Sequence, residues 1–216
     1  MDLGAAWRAF ATYQGAAPVT RAFVAARFLV APLGPLEAQL AGCTGTVLSL
    51  GSGLCMVERY LAETNPNLTL VGVDLDADKA ALIDRTRARS PRVSLRVGDA
   101  TALSEAGSYD AVLLCDAIHH FPQDSHERVA RTVADALVPG GVALVKDLDV
   151  APRWKYHWNR FHDRLAAGPE PIWCRSPTEL AEVFVGAGLT LESAERLDFA
   201  ATPYAHYLLR LRKPHR

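Results

Sequence analysis

The stretch from Thr46 to Leu61, "TVLSLGSGLCMVERYL", decides the fold. Thr46–Leu50 is a short β-branched and apolar run. Gly51-Ser52-Gly53 breaks it, and from Leu54 the apolar spacing becomes helical. A glycine loop between a strand and a helix is a common nucleotide cradle, because backbone N–H groups and the helix N-terminus can face a ligand. The dinucleotide fingerprint would place its third glycine at position 56, where helix and strand pack closely; Met56 is too bulky for that role. Taken alone, the loop reads either as a nucleotide site or as a tight turn.

The neighbouring sequence settles the class of fold. Leu68–Val73, Val93–Val97, Tyr109–Cys115 and Val142–Val145 read as further strands, and helical patterns over Leu54–Glu63, Asp76–Arg89 and Asp124–Leu137 separate them. Asp124 and Glu127 have capping-box spacing, and Pro139-Gly140-Gly141 reads as a turn. Strands apolar on both faces that alternate with helices make a mostly parallel sheet covered on both sides, so the expectation is a doubly wound α/β fold. Three helices, Leu3–Gln14, Val19–Val30 and Pro35–Leu40, precede it as a cap. Helices over Pro152–Ala166 and Pro177–Ala187 and an antiparallel strand pair, Leu189–Leu197 and Tyr204–Arg212, follow it. The reading is one domain: a cap over 1–42, a cofactor-binding core over 46–148, and substrate-side helices with a terminal hairpin over 152–216.

Three successive strands end in an acid: Asp74 in "LVGVDLD", Asp99 in "VGDAT" and Asp116 in "LLCDAIHHF". A carboxylate at Asp74 can accept both ribose hydroxyls, and one at Asp99 an adenine amino group. A row of carboxylates disfavours a pyrophosphate, which takes helix N-termini and cations. It suits an adenosine attached to a positive group.

The motifs "VLSLGSGLC", "LVGVDLD", "VGDAT", "YDAVLLCDAIHHF" and "LVPGGVALVKD" resemble, in order and spacing, those of the class I S-adenosylmethionine-dependent methyltransferases. The resemblance spans roughly Thr46 to Asp147. It implies a seven-stranded sheet with an antiparallel last strand and S-adenosyl-L-methionine as cofactor. Mapped onto this chain, it implies cofactor contacts from Ser49, Gly51, Ser52, Gly53, Asp74, Leu75, Asp99, Ala100 and Asp116. Tyr13, with Arg21 or Arg27 near it, is the candidate to close over the cofactor carboxylate, or else only anchors the cap. The sequence departs from the family twice. An acid usually stands where Ser49 is and commonly helps hold the cofactor's amino group, which a hydroxyl does more weakly; a third glycine usually stands where Cys55 is.

Methyl transfer to a hydroxyl or phenol needs a base, and an imidazole suits that task near neutral pH. His119 and His120 follow the fourth strand and are the candidates, with Asp147 at the end of the fifth; Lys146 and Asp147 either orient substrate or pair with each other. In the segment after the fifth strand, Trp154, Trp158, Phe161 and Leu165 share one helical stripe. That stripe is either the docking face of an amphipathic helix or a wall for a flat, greasy acceptor. The expected activity is methyl transfer to a small-molecule oxygen; an RNA or protein methyltransferase and a non-catalytic S-adenosylmethionine-binding protein remain the rivals.

Composition bounds these readings. The chain has 216 residues, a net charge of −1 and half its residues apolar. Such a balance argues against a nucleic-acid partner. Cys43, Cys55, Cys115 and Cys174 are scattered without ligand spacing, which argues against a metal site and for reduced thiols in a cytosolic setting. The apolar run over Ala22–Pro35 is interrupted by Arg27 and two prolines, so no membrane span is expected. The Ala- and Arg-rich usage hints at a bacterial source, and the expected state is a monomer or homodimer.

Overall fold

The computed structural model describes residues 1–86, 89–166, 171–197 and 203–215. The chain forms two compact units, Met1–Ala100 and Thr101–Arg216. Their strands belong to one seven-stranded sheet in the order β3-β2-β1-β4-β5-β7-β6.

The first unit comprises α1 (Leu3–Ala11), α2 (Pro18–Val30), α3 (Gly34–Leu40), β1 (Gly45–Leu50), α4 (Met56–Thr64), β2 (Leu68–Asp74), α5 (Ala77–Arg85) and β3 (Val93–Val97). β1 pairs with β2 and β2 with β3, all parallel. Val47, Leu48, Ser49 and Leu50 are all buried, as both faces of an interior strand must be. Asp76 caps α5 by accepting the N–H groups of Asp78 and Lys79. The helix ends earlier than its pattern suggested, at Arg85; Arg87 and Ala88 lie outside the described residues. Tyr60 fastens the cap: its hydroxyl accepts the Asp2 N–H at 2.8 Å and donates to Glu37.

The second unit comprises β4 (Tyr109–Cys115), α6 (His126–Ala136), β5 (Leu137–Leu148), α7 (Arg153–Ala166), α8 (Pro177–Gly186), β6 (Thr190–Arg196) and β7 (His206–Arg212). β4 and β5 are parallel, β7 runs antiparallel to both β5 and β6, and so the expected terminal hairpin forms. The link expected between those strands falls on 198–202, outside the described residues. Edge strand β6 is mostly exposed, and Glu192 on it pairs with Arg210 and Arg212. Charge of this kind discourages edge-to-edge association.

The structure departs from three expectations. Asp124 and Glu127 do not form a capping box: Gln123–Ser125 is a 3-10 turn, and α6 starts after Ser125 without a side-chain cap. Pro139-Gly140-Gly141 is not a separate turn, because β5 runs through it. Gly140 at φ +80° and a register shift opposite Tyr109 and Ala111 absorb the irregularity. The aromatic stripe of α7 is not a docking face. Trp154, Trp158 and Phe161 are exposed, while Lys155 and Asn159, one turn apart, are buried; the Leu165 side chain lies outside the described residues. Among the described residues, no single helix is long and apolar enough to cross a membrane.

Candidate functional site

In the first unit the glycine loop is held from β2. The N–H groups of Gly51 and Ser52 donate to the Val73 carbonyl at 2.8 and 3.2 Å, and the Gly53 N–H donates to Asp74 Oδ2 at 2.8 Å. Gly51, Gly53 and Cys55 all have left-handed backbone, at φ 68°, 54° and 54°. Glycine adopts that conformation freely; for Cys55 it costs about 1–2 kcal/mol. A Cβ built at Gly53 would meet nothing within 4 Å, so there is open room at that corner of the loop.

Asp74 and Asp99 stand together at the same edge of the sheet. Asp74 is in register with Val97, two residues before Asp99, and the Gly98 N–H donates to the Asp74 carbonyl at 3.0 Å. Besides Gly53, the Asp74 carboxylate accepts the Asp76 N–H at 3.0 Å and pairs with Lys79 at 3.4 Å. A carboxylate has about four acceptor positions, so one remains for a ribose hydroxyl while the loop stays bonded. Leu75 is exposed beside it, and Ala100 is buried after Asp99.

Tyr13 is fully buried, its hydroxyl donates to the Leu54 carbonyl at 2.6 Å, and the Arg59 guanidinium lies 4.5 Å from its ring centre. Its donor therefore holds the loop. Burial pushes the phenol of Tyr13 and the thiol of Cys55 up from their ordinary values. Arg59 is buried as well and donates to Thr12 and Thr86 at 2.7 and 2.6 Å, tying the ends of α1 and α5 to α4.

Ser49 is 1% exposed, and its hydroxyl donates to Glu58, a residue the sequence reading did not single out. Glu58 is equally buried, and desolvation raises its carboxyl to about 7.

In the second unit His119 and Asp147 form a buried pair. The His119 N–H donates to Asp147 Oδ2 at 3.1 Å, and ring Nδ1 bonds to Oδ1. The Leu148 N–H holds the same carboxylate at 2.7 Å. With Nδ1 protonated toward the carboxylate, the imidazole lone pair is on Nε2. His120 is exposed, with its ring centre 4.2 Å from that of His119. The Trp173 N–H donates to the His119 carbonyl at 2.8 Å and ties the segment before α8 to the pair.

Lys146 and Asp147 do not pair with each other. Neighbours on a strand point to opposite faces, so Lys146, fully buried, donates instead to Asp116 at 2.6 Å. Asp116, at φ 51°, also has His206 within 3.7 Å. Sequence reasoning missed His126 too. It is buried between the Phe121 carbonyl and Arg175, and desolvation lowers its pKa below the ordinary histidine value.

Comparison with known proteins agrees with this geometry. Residues 47–141 match the family described as "Methyltransferase domain". No curated protein matches the chain in sequence. Among solved structures, a S-adenosylmethionine-dependent methyltransferase from Methanosarcina mazei is 16% identical, with TM-score 0.68 over 84% of this chain and 98% of that one. A protein from Pyrococcus horikoshii OT3 is 22% identical, with TM-score 0.70 over 87% and 90%. The mitomycin 7-O-methyltransferase is 22% identical, with TM-score 0.68 over 84% of this chain and 52% of its own. These likenesses establish the fold; the family match adds the chemistry. Residues 47–141 thus match a methyltransferase domain, and this match together with the fold supports methyl transfer with S-adenosylmethionine as cofactor. The loop fits that cofactor: carboxylates border it, which favour a phosphate-free, cationic ligand, and there is room over Gly53.

Proposed function

We propose that the enzyme methylates a small-molecule acceptor on oxygen, a hydroxyl or a phenol, with His119 as general base. The buried His119–Asp147 pair carries this reading. A carboxylate that fixes one ring nitrogen and the backbone of the same histidine presents the other nitrogen as a base in a set orientation. A neutral amine attacks through its own lone pair and has less need of such a base.

When bound, S-adenosylmethionine supplies an electrophilic methyl group on a positively charged sulfur. Gly51, Ser52 and Gly53 offer backbone at the loop, Asp74 beside Leu75 accepts from the ribose, and Asp99 beside Ala100 accepts from the adenine amino group. Tyr13 keeps the loop in shape through Leu54. Asp116, neutralised by Lys146, lets a cationic ligand approach without leaving a bare buried charge. Methyl transfer is an in-line displacement, so the remaining task is alignment in a dry site. In the second unit, His119 Nε2 takes the acceptor proton while Asp147 stabilises the resulting imidazolium. His120 stands beside them as a second imidazole. The exposed aromatics Trp154, Trp158 and Phe161 match a flat acceptor.

The experiment is an acceptor screen that reads release of S-adenosylhomocysteine with phenols, aliphatic alcohols, amines and RNA. Phenols or alcohols giving the highest turnover support the proposal; turnover confined to amines or RNA overturns it.

A further inference from the structure

We propose that Glu58, on α4, carries the carboxylate that the family places on β1, and that it is the counter-charge for the ammonium group of the cofactor's methionine end. This rests on the S-adenosylmethionine reading above and assigns one further residue to that site.

The structure gives three reasons. The strand position where the family has an acid is Ser49, and Ser49 uses its hydroxyl to hold Glu58. A carboxyl group is therefore still beside the end of β1, reached from the next helix and not from the strand itself. Second, Glu58 is 1% exposed, and its Oε2 is buried with no hydrogen-bond partner. Buried polar atoms are nearly always bonded; an orphaned acceptor behind a ligand loop is what a ligand's N–H groups would satisfy. Third, the residues around Glu58 belong to the loop. It lies one turn beyond Cys55, whose carbonyl accepts the Arg59 N–H at 3.0 Å.

The charged and titratable groups that act on Glu58 come from each surrounding segment: Arg59 on its own helix, Asp74 on β2, Cys55 in the loop and Tyr13 after α1. Arg59 is the neighbouring cation. Its two terminal nitrogens are engaged by Thr12 and Thr86, and its plane lies over Tyr13. Desolvation outweighs it, so the carboxyl of the unliganded protein titrates near 7. An incoming ammonium reverses that balance and drives off the proton.

Calorimetry with two probes tests this: S-adenosylhomocysteine, which has the amino-acid end, and 5′-methylthioadenosine, which lacks it. Glu58→Gln should weaken S-adenosylhomocysteine binding about tenfold or more and change 5′-methylthioadenosine binding less than about twofold. Equal losses for both probes, or no loss for either, overturn the assignment. If the wild-type protein binds neither probe, the cofactor reading itself fails, and Glu58 falls with it. The double variant Ser49→Asp, Glu58→Ala, which returns the acid to β1, should recover most of the affinity that Glu58→Ala loses; no recovery counts against the proposal. A fourth readout needs no variant. At pH 7, wild-type protein should release about half a proton on binding S-adenosylhomocysteine and none with 5′-methylthioadenosine, read as the difference in heat between phosphate and Tris buffers. Zero release with S-adenosylhomocysteine overturns it.

Discussion

Cys55 Sγ lies 3.1 Å from the point that a Cβ on Gly72 would occupy. The two residues explain each other. The loop carries a side chain where the family usually has a glycine, and β2 lacks a side chain at the position that faces it. Cys55 is fully buried in the space Gly72 leaves, with Leu95 Cδ1 and the Ser52 hydroxyl closing the same gap.

Gly72→Ala should therefore destabilise the protein by about 1–3 kcal/mol, the usual cost of overpacking a closed interior. A Cβ there would be 3.0 Å from Leu95 Cδ1 and closer still to Ser52 Oγ, so the loop must shift. Urea denaturation checks the number. S-adenosylhomocysteine affinity should fall as well, since Ser52 belongs to the loop; a variant as stable as wild type would show that the packing has slack.

Glu58 makes stability depend on pH. Its folded value, about 7, lies above the ordinary 4.5, so between those two values the folded state binds more protons than the unfolded one. Stability should then fall as pH rises from about 5 to 8, by about 3 kcal/mol from this group. In Glu58→Gln that slope should be absent, and the variant should match or exceed wild type at pH 8. Denaturant melts at pH 5 and pH 8 measure both. A wild-type profile that rises with pH through this window, with the variant unchanged, would mean that Glu58 is ionised in the folded protein.

His119→Ala should lower turnover on the best hydroxyl acceptor by about 10²–10⁴-fold, the range of a lost general base, with S-adenosylhomocysteine affinity little changed. Asp147→Asn should do comparable damage: the amide can still accept from the His119 backbone N–H but provides no charge for an imidazolium. Circular dichroism must show both variants folded. Full turnover in His119→Ala would leave the buried pair without a chemical role.

The α/β alternation was legible because it is written in periodicity. β3 and β4 lie where the apolar runs put them, and the terminal hairpin lies within the two runs Leu189–Leu197 and Tyr204–Arg212. Local chemistry misled at Pro139-Gly140-Gly141, where the bonds of Gly140 N–H to Lys213 and of Lys213 N–H to Gly141 keep the segment in the sheet. Those partners are more than 70 residues away and invisible to a local reading. The placement of Asp74 and the glycines at strand ends could be read from the apolar runs. Glu58 could not: a glutamate in the first turn of a helix normally marks the solvated face, and its burial follows from Ser49, nine residues back on another element. For α7 the stripe was legible but its orientation was left open between a docked face and an acceptor wall, because hydrophobic spacing shows that a face exists and not whether anything covers it.

The most direct measurement is a calorimetric titration of wild-type protein and Asp74→Ala with S-adenosylhomocysteine and with NAD. Loss of the carboxylate that accepts the Gly53 N–H, and that is proposed to accept from the ribose, removes hydrogen bonds worth about 1.5–3 kcal/mol each. Wild type should show one S-adenosylhomocysteine site, the variant an affinity about ten- to a hundredfold weaker, and neither should bind NAD. Binding of NAD in place of S-adenosylhomocysteine, or equal S-adenosylhomocysteine affinity in the two proteins, would contradict this expectation.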